Sequence, residues 1–214
     1  MDETPAAAVR EPMRTLLPAD HETQALYFLL NSLVVPRPIA WVSSLASDGT
    51  RNLAPHSYFT VVASDPPTIG FTSIGDKDTL ANVRSTGEFV VHVADHALVE
   101  RMNMTAARAP ADVSEFGLAG VTPLDSSHVA PATVAEAPVS MECELDRVVE
   151  VGNGRFVIGR VVAFHVAERL WDERERVEPG RLDAVARMGG STYATTRDRF
   201  ELRRPTYEEL LARE

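Results

Sequence analysis

NLAPHSYFTVVASDPPTIGFTSIGDKDT, which spans residues 52–79, is the most informative stretch of this sequence. Two runs rich in β-branched and aromatic residues flank the prolines at positions 66 and 67, and a polar segment containing Lys77 follows. Such runs favour strands, prolines interrupt them, and a polar loop before an apolar segment is typical of a helix start. The stretch therefore predicts a turn broken by Pro55, a strand, a Pro-Pro connection, a second strand, and a loop that opens a helix.

Hydroxyl groups and one ammonium gather where this helix should begin. Lys77 is the only lysine among the 21 lysine and arginine residues of the chain. Free backbone N–H groups and the positive end of the helix dipole favour an anion at a helix N-terminus, and an ammonium adds a point charge. We therefore expect Ser73, Lys77 and Thr79 to bind a phosphate group. The alternative is a solvated lysine beside an ordinary helix start.

A second group of motifs lies upstream, where PRPIAWVSS at residues 36–44 is followed by an SDG turn at 47–49. With NLAPHSYF, DPP, a strand ending in Ser73, and KDT, this order and spacing resembles the flavin reductase-like family, whose members have an FMN-binding split β-barrel. The resemblance covers residues 20–200, nearly the whole chain. It implies a mainly β fold with peripheral helices, flanked by an N-terminal arm (1–19) and a C-terminal tail (201–214).

Length and composition narrow the class of protein. A chain of 214 residues favours one domain, and a net charge of -10 argues against nucleic acid or an anionic membrane as partner. Cys143 is the sole cysteine, which excludes an intramolecular disulfide and a cysteine metal cage, and we expect a buried, unreactive thiol. The sequence shows neither a signal peptide nor a membrane-length apolar run. These features predict a soluble, cytoplasmic protein.

The rest of the chain carries further strand and turn signals. Asp20 can cap a helix that runs to about Leu30, and Gly49 and the Gly152-Asn153-Gly154 sequence mark two hairpins. From 109 to 138 we expect a proline-rich connection without firm elements. Further strands are predicted at 39–45, 89–93, 139–150 and 155–168, and one more begins near 51. Helices are predicted at 80–85, where Gly87 stops the helix, and at 96–107. Several strands with tight turns indicate a small closed barrel.

A hydride enzyme needs a group that accepts two electrons, and side chains supply none. The Rossmann fingerprint is missing, because Gly152-x-Gly154 lies in a hairpin and Val157 stands where the third glycine would be. NAD(P)H would therefore be a transient co-substrate, and the resemblance implies a bound flavin, FMN rather than FAD, held through its phosphate. It also places the ring beside the 52–58 segment, where Pro55 should turn the chain. The expected cofactor-binding residues are Arg37, Ser43, Ser44, Asn52, Ala54, Pro55, His56, Ser57, Tyr58, Ser73, Lys77, Thr79, Arg187 and Tyr193.

Several of these residues have alternative interpretations. His56 could donate a proton near neutral pH, or simply contact the flavin or nicotinamide. Arg37 could meet a substrate phosphate or a second subunit, or be a surface arginine. Arg187 and the Gly-Gly-x-x-Tyr turn resemble the family's final flavin-contacting segment, whereas the alternative is a helix C-cap with Tyr193 in the core.

Two other chemistries find little support. His92 and His96 have the spacing of a helical zinc pair, but His92 lies in a predicted strand and the glutamate of HExxH is absent. We therefore expect no metal site. A serine hydrolase would need a G-x-S-x-G elbow, and none occurs.

The resemblance implies an NAD(P)H-dependent flavin reductase that supplies reduced flavin to a separate monooxygenase. It also implies a homodimer, because relatives build their flavin sites at or near a subunit interface. One alternative is an FMN-binding electron carrier or sensor without reductase activity. Another is a barrel that has lost flavin and serves only in assembly, although the intact set of Ser73, Lys77 and Thr79 argues against it. Both NADH and NADPH stay open as the donor.

Overall fold

A seven-stranded antiparallel sheet forms the body of the fold. The computed structural model describes residues 11–211, so parts of the expected arm (1–19) and tail (201–214) lie outside the described residues. The strands are β1 (Arg37–Pro38), β2 (Ala40–Leu45), β3 (Arg51–His56), β4 (Phe59–Ser64), β5 (Pro67–Ile74), β6 (Glu88–Val93), β7 (Pro123–Leu124), β8 (Thr133–Val134), β9 (Val139–Val151), β10 (Gly154–Val166), β11 (Val185–Arg187) and β12 (Tyr193–Thr195). The large sheet has the order β3-β2-β6-β9-β10-β5-β4.

Short helices and two small sheets surround this large sheet. The α-helices are α1 (Thr23–Leu33), α2 (Asp78–Thr86), α3 (Val99–Met104), α4 (Glu115–Ala119), α5 (Pro179–Leu182) and α6 (Tyr207–Leu211), and 3-10 turns occupy Pro18–Asp20, His96–Leu98 and Glu168–Leu170. β1, β11 and β12 form one small sheet, and β7 pairs with β8. The prediction of a mainly β fold with peripheral helices is confirmed. Within residues 11–211, no helix combines the length and apolar character needed to cross a membrane.

The two longest strands bend the large sheet. β9 and β10 pair around the predicted turn, and their register shifts between Ile158 and Gly159 and again between Val161 and Ala163. Such bulges increase local twist and allow a sheet to curl. At Gly159 the backbone approaches the ring of Phe89, where an added Cβ would lie 2.3 Å from the ring carbon Cζ. Glycine is therefore required at this bend.

Two apolar cores lie on opposite faces of the sheet. Strand β2 contributes side chains to both cores, because alternate residues of a strand point to opposite faces. Ala40 and Val42 pack inside the curled sheet with Phe71 and Cys143, whereas Trp41 packs outside it with Met102. Cys143 is fully buried, and burial raises the pKa of its thiol, as expected for an unreactive side chain. The sheet is thus covered on both faces at β2.

His92 is fully buried, on the same face of the sheet as Trp41, its partner on β2. Its Nε2 accepts a hydrogen bond from the N–H of Val134 at 2.9 Å, so its Nδ1 carries the proton and donates to the Trp41 carbonyl at 2.9 Å. Burial lowers the pKa of His92 to about 4. Because both ring nitrogens are engaged, neither is available to a metal.

The connection at 109–138 is more ordered than the sequence predicted. It contains α4, which ends at Gly120 with a left-handed φ of +62°, and the β7–β8 pair. The buried carboxylate of Glu142 holds the connection by accepting hydrogen bonds from the backbone N–H groups of Ser127, His128 and Val129, at 2.6–3.1 Å. The order of this connection therefore depends on a distant side chain, and a regular hydrophobic pattern in the local sequence does not predict it.

The first helix begins later in the chain than the sequence predicts. Asp20 lies in a 3-10 turn rather than at a helix N-cap, and α1 begins after Glu22 and continues to Leu33. In contrast, α2 ends as predicted, because Gly87 adopts a left-handed φ of +74° and its N–H bonds to the Val83 carbonyl at 2.9 Å. This well-defined helix positions the candidate site at its N-terminus.

Candidate functional site

A cleft of about 540 Å³ opens beside β3 at one edge of the large sheet. Its other walls are the N-terminus of α2 and the 105–109 segment that follows α3. The cleft brings together the 52–56 and 77–79 segments that the sequence singled out. The lining residues are Asn52, Ala54, Pro55, His56, Ile74, Asp76, Lys77, Asp78, Thr79, Thr105, Ala106, Ala107, Arg108, Ala109 and Glu115.

The β3 wall is an edge strand that runs straight through Pro55. Pro55 pairs with Trp41 of β2 and the strand continues to His56, so the prediction that Pro55 turns the chain is wrong. The N–H of Leu53 points away from β2 to Glu115, at 2.9 Å. Because N–H directions alternate along a strand, Pro55 takes the equivalent outward position, where its missing N–H costs the sheet nothing.

At the α2 wall, one cation stands beside unpaired backbone donors. Lys77 is the N-cap of α2, and the N–H groups of Asp78, Thr79 and Leu80 belong to the first turn, which has no intrahelical acceptors. The side chain of Lys77 is exposed and takes part in no ion pair within residues 11–211. We call Lys77 and these three N–H groups the anion corner. It has the donors and the dipole end that a phosphate requires.

The charge of the whole cleft does not favour anions in general. Lys77 and Arg108 are its cations, whereas Asp76, Asp78 and Glu115 contribute three carboxylates. Attraction of a phosphate therefore depends on donors at the anion corner rather than on a basic surface. The rest of the cleft suits neutral groups that can donate hydrogen bonds.

The two hydroxyls expected at the phosphate site already donate elsewhere. Thr79 Oγ1 donates to Asn52 Oδ1 at 2.9 Å, and Ser73 Oγ donates to the Gly75 carbonyl at 3.0 Å. A hydroxyl has one proton to donate. While these bonds persist, Thr79 offers an anion its backbone N–H, and Ser73 shapes the turn before α2.

A buried network fixes Asn52 and Thr79. Asn82 Nδ2 donates to Ser44 Oγ at 3.2 Å, and Ser44 Oγ donates to Asn52 Oδ1 at 3.2 Å, where the Thr79 hydroxyl also donates. Asn52 Nδ2 then donates to Glu115 Oε2 at 3.1 Å. Each group in this chain donates to the next one, from Asn82 to Glu115. The Asn52 amide therefore has one orientation, and Glu115 is the final acceptor. Ser44 therefore acts behind the cleft, through Asn52.

His56 lies at the other end of the β3 wall, against the ring of Phe71 at a centroid distance of 4.7 Å. Burial, followed by the charge of Lys77, lowers the pKa of His56 to about 4. The imidazole is consequently neutral near pH 7 and is a poor proton donor. Its Nε2 is buried without a hydrogen-bond partner among the described residues, and such an atom gains from a ligand that offers a complementary group.

The third wall is held from the outer core. Trp41 Nε1 donates to Thr105 Oγ1 at 2.9 Å, and Thr105 Oγ1 donates to the Met102 carbonyl at 2.7 Å. Thr105 is buried, whereas Arg108, three residues later, is exposed on the cleft. The wall thus has a fixed base and an exposed cationic rim.

Besides Ser44 and Ser73, four further expected contacts lie outside the lining of this cleft. Arg37 is 6% exposed, which rules out the surface-arginine alternative, and its guanidinium donates to the carbonyls of Asn31, Val34 and Met188 at 2.6–3.0 Å. Arg37 therefore connects the C-terminal end of α1 to the residue that follows β11, and these hydrogen bonds give it a structural role. The remaining three are Ser43, Ser57 and Tyr58. Ser43 Oγ donates to the Ala132 carbonyl at 2.5 Å, and the Tyr58 hydroxyl accepts from Asn31 Nδ2 at 3.0 Å. Ser57 is half-buried.

Arg187 and Tyr193 also lie away from the cleft lining. They face each other across the β11–β12 pair, with the guanidinium 4.5 Å from the ring centroid and bonded to the Tyr193 hydroxyl. Tyr193 also donates to Asn103 Oδ1 at 2.9 Å and packs against the outer core. The helix C-cap of the alternative interpretation is absent because Arg187 ends a strand, whereas the packing of Tyr193 against the core matches that alternative.

The sequence interpretation missed Glu115 and Arg108. A helix signal was available for Glu115, because Ser114 precedes the helix, apolar residues follow, and Gly120 ends it. For Arg108 we find no sequence signal, since only the folded wall carries it to the cleft.

Comparisons with known proteins agree with this geometry. The family model "Flavin reductase like domain" matches residues 32–180. Nitrilotriacetate monooxygenase component B from Bacillus cereus superposes with a TM-score of 0.85 and 37% identity, over 90% of this chain and 100% of that one. For 2-nitrobenzoate 2-nitroreductase NbaA from Pseudomonas fluorescens, the TM-score is 0.83 and the identity 33%, over 91% and 98% of the two chains.

A third solved structure names the architecture. A Shewanella frigidimarina protein assigned as a flavin reductase with a split barrel domain superposes with a TM-score of 0.78 and 25% identity, over 88% of this chain and 95% of that one. The predicted split β-barrel is confirmed by this comparison together with the family match.

Proposed function

This chain belongs to the flavin reductase-like family, and from that membership we propose that it binds FMN and reduces it with NAD(P)H. The observation that carries the proposal is the cleft, which joins an anion corner at α2 to the exposed edge of β3. A flavin mononucleotide has the same two-ended chemistry, with a phosphate at one end and a polar-edged aromatic ring at the other. The residues present therefore fit the cofactor.

We assign the phosphate to the anion corner and the ring to the β3 wall. Lys77 would supply the charge, and the backbone N–H groups of Asp78 and Thr79 would supply directed hydrogen bonds. At the other end, Ala54, Pro55 and His56 would flank the ring, and the unpartnered Nε2 of His56 would gain a polar neighbour. A single phosphate corner favours FMN over FAD.

A bound flavin would supply the two-electron acceptor that side chains lack, with a nicotinamide as the hydride donor. The chain's own contribution is binding and placement. His56 is neutral near pH 7 and would orient the ring edge without transferring a proton. The Trp41–Thr105 hydrogen bond would hold the third wall in place, so that the donor enters a preformed cleft.

Two further parts of the proposal concern partners. Component B of the Bacillus cereus enzyme is part of a monooxygenase by name, and we propose that this protein likewise passes reduced flavin to a separate monooxygenase. We also propose a homodimer in the cytoplasm. Helix α1 supports dimer formation, because Tyr27, Phe28, Leu30 and Leu33 are each 47–69% exposed on it.

Steady-state oxidation of NADH and NADPH, each with FMN or FAD as acceptor, tests the proposed activity. Flavin-dependent consumption of either nicotinamide, faster with FMN than with FAD, is the expected result. Protein without added flavin and flavin without protein are the controls. Tight FMN binding with no nicotinamide oxidation would refute the reductase function and leave a carrier or sensor.

A further inference from the structure

We propose that Glu115 binds the ribityl hydroxyls of the flavin, an inference that rests on the function proposed above. Glu115 lies on α4, lines the cleft and is only 6% exposed. A carboxylate so deeply buried requires hydrogen-bond donors to offset its lost hydration. The identity of those donors decides what the residue does.

Only one of the two carboxylate oxygens is satisfied by the protein. Oε2 accepts from Asn52 Nδ2 at 3.1 Å and from the N–H of Leu53 at 2.9 Å. Oε1 has no hydrogen-bond partner among the described residues, and it is not among the fully buried atoms without a partner. It is therefore a solvent-accessible acceptor on a residue that lines both the cleft and a smaller hollow of about 100 Å³, which shares Asn52 and Asp78 with the cleft, and it can accept a hydrogen bond from a ligand.

The surroundings of Glu115 exclude a phosphate and the protein's own cations as partners of Oε1. A phosphate would be repelled by the carboxylate, and the protein's own cations, Lys77 and Arg108, form no ion pair with it at 4.0 Å or less. The donors in the neighbouring network are committed as well, because the Thr79 hydroxyl and Ser44 both donate to Asn52. A neutral hydroxyl of the ligand matches the vacant acceptor.

The position of Glu115 along the cleft matches the middle of the ligand. Asn52, which bonds to Glu115, lies on β3 before the 54–56 segment assigned to the ring, and it also bonds to Thr79 beside the phosphate. Glu115 is thus next to the link between the two ends of the site. In FMN this link is the ribityl chain, which carries hydroxyl groups.

Flavins of increasing size separate this role from a purely structural one. Lumiflavin has the ring alone, riboflavin adds the ribityl chain, and FMN adds the phosphate. In Glu115→Gln the carbonyl oxygen can keep both bonds to β3, whereas the amide nitrogen puts a donor in place of the acceptor Oε1. We expect the Kd for riboflavin to rise about tenfold or more, and the Kd for lumiflavin to stay within about twofold. Quenching of flavin fluorescence measures each Kd.

Riboflavin is the decisive ligand because it lacks the phosphate. Removal of the Glu115 charge would also relieve repulsion of the FMN phosphate, so the change in FMN affinity should be smaller than the change for riboflavin. Glu136→Gln is the matched control, because Glu136 also accepts from a backbone N–H, that of Thr122, and lies outside the cleft lining. This control should leave all three affinities unchanged.

The outcomes distinguish this inference from the proposed function. Equal changes for lumiflavin and riboflavin in Glu115→Gln, or no change for either, would overturn the ribityl assignment while leaving flavin binding intact. Lumiflavin binding also reports that the variant cleft is folded. Failure of the unaltered protein to bind any of the three flavins would instead refute the proposed function.

Discussion

Replacement of Lys77 by alanine tests the anion corner because it removes the charge and leaves the backbone donors of α2. A hydrogen bond to a charged group contributes about 1.5–3 kcal/mol. The Lys77 side chain is exposed, so water and salt weaken its interaction. We therefore expect FMN binding to weaken by about 1–2 kcal/mol, which raises Kd roughly five- to thirtyfold.

Parallel fluorescence titrations with FMN and riboflavin measure this effect. Riboflavin lacks the phosphate, so its Kd should change less than about twofold in Lys77→Ala, and added salt should reduce the difference for FMN. Arg84→Ala is a matched control, because Arg84 is an exposed cation in the last turn of the same helix, paired with Glu150 at 2.9 Å. Equal losses for FMN and riboflavin, or no loss for FMN, would remove Lys77 from the phosphate site.

Three further predictions follow from buried groups. The pKa of His92 and His56 falls from 6.5 to about 4 on folding, so each should lower the free energy of unfolding by about 3 kcal/mol as pH drops through that window. In urea unfolding, the free energy of His92→Gln should fall less steeply with decreasing pH than that of the unaltered protein. The same slope for both proteins would contradict the neutral assignment. His56→Phe keeps a ring beside Phe71, so the rate of flavin reduction by NADH in stopped flow should stay within about tenfold, whereas a hundredfold loss would make His56 an acid. Gly159→Ala should lower stability by about 1–3 kcal/mol, since its Cβ would clash with Phe89; thermal unfolding equal to that of the parent would show that Phe89 can move aside.

Local signals in the sequence predicted much of the fold. The predicted ends of α2 at Gly87 and of β9 at the Gly152-Asn153-Gly154 turn match the structure, because Gly87 and Gly152 adopt the positive φ that glycine permits. Lys77 also stands at the start of α2, as the polar loop predicted, and it meets the 52–56 segment in one cleft. The family resemblance, and not a local signal, predicted that these two segments belong to one site.

Local signals are insufficient where hydrogen bonds are long-range. The sequence predicts Thr79 as a phosphate ligand, and this stays a prediction; the structure adds that its hydroxyl donates to Asn52, 27 residues away, which leaves its backbone N–H for an anion. Glu115 bonds to β3 across 62 and 63 positions, and no local pattern encodes that pairing. Pro55 was expected to turn the chain, yet on the free edge of an edge strand its missing N–H breaks no bond. Each outcome depends on where the partner lies after folding.

Reduction of FMN by a nicotinamide in the absence of oxygen tests the proposed reductase function most directly. Purified protein with one equivalent of FMN is mixed anaerobically with NADH, and separately with NADPH, while the visible flavin absorbance is recorded. We predict that one of the two donors bleaches the flavin within seconds, and that Lys77→Ala needs more FMN to reach the same rate. Bound flavin that dithionite bleaches but neither nicotinamide does would contradict the reductase function.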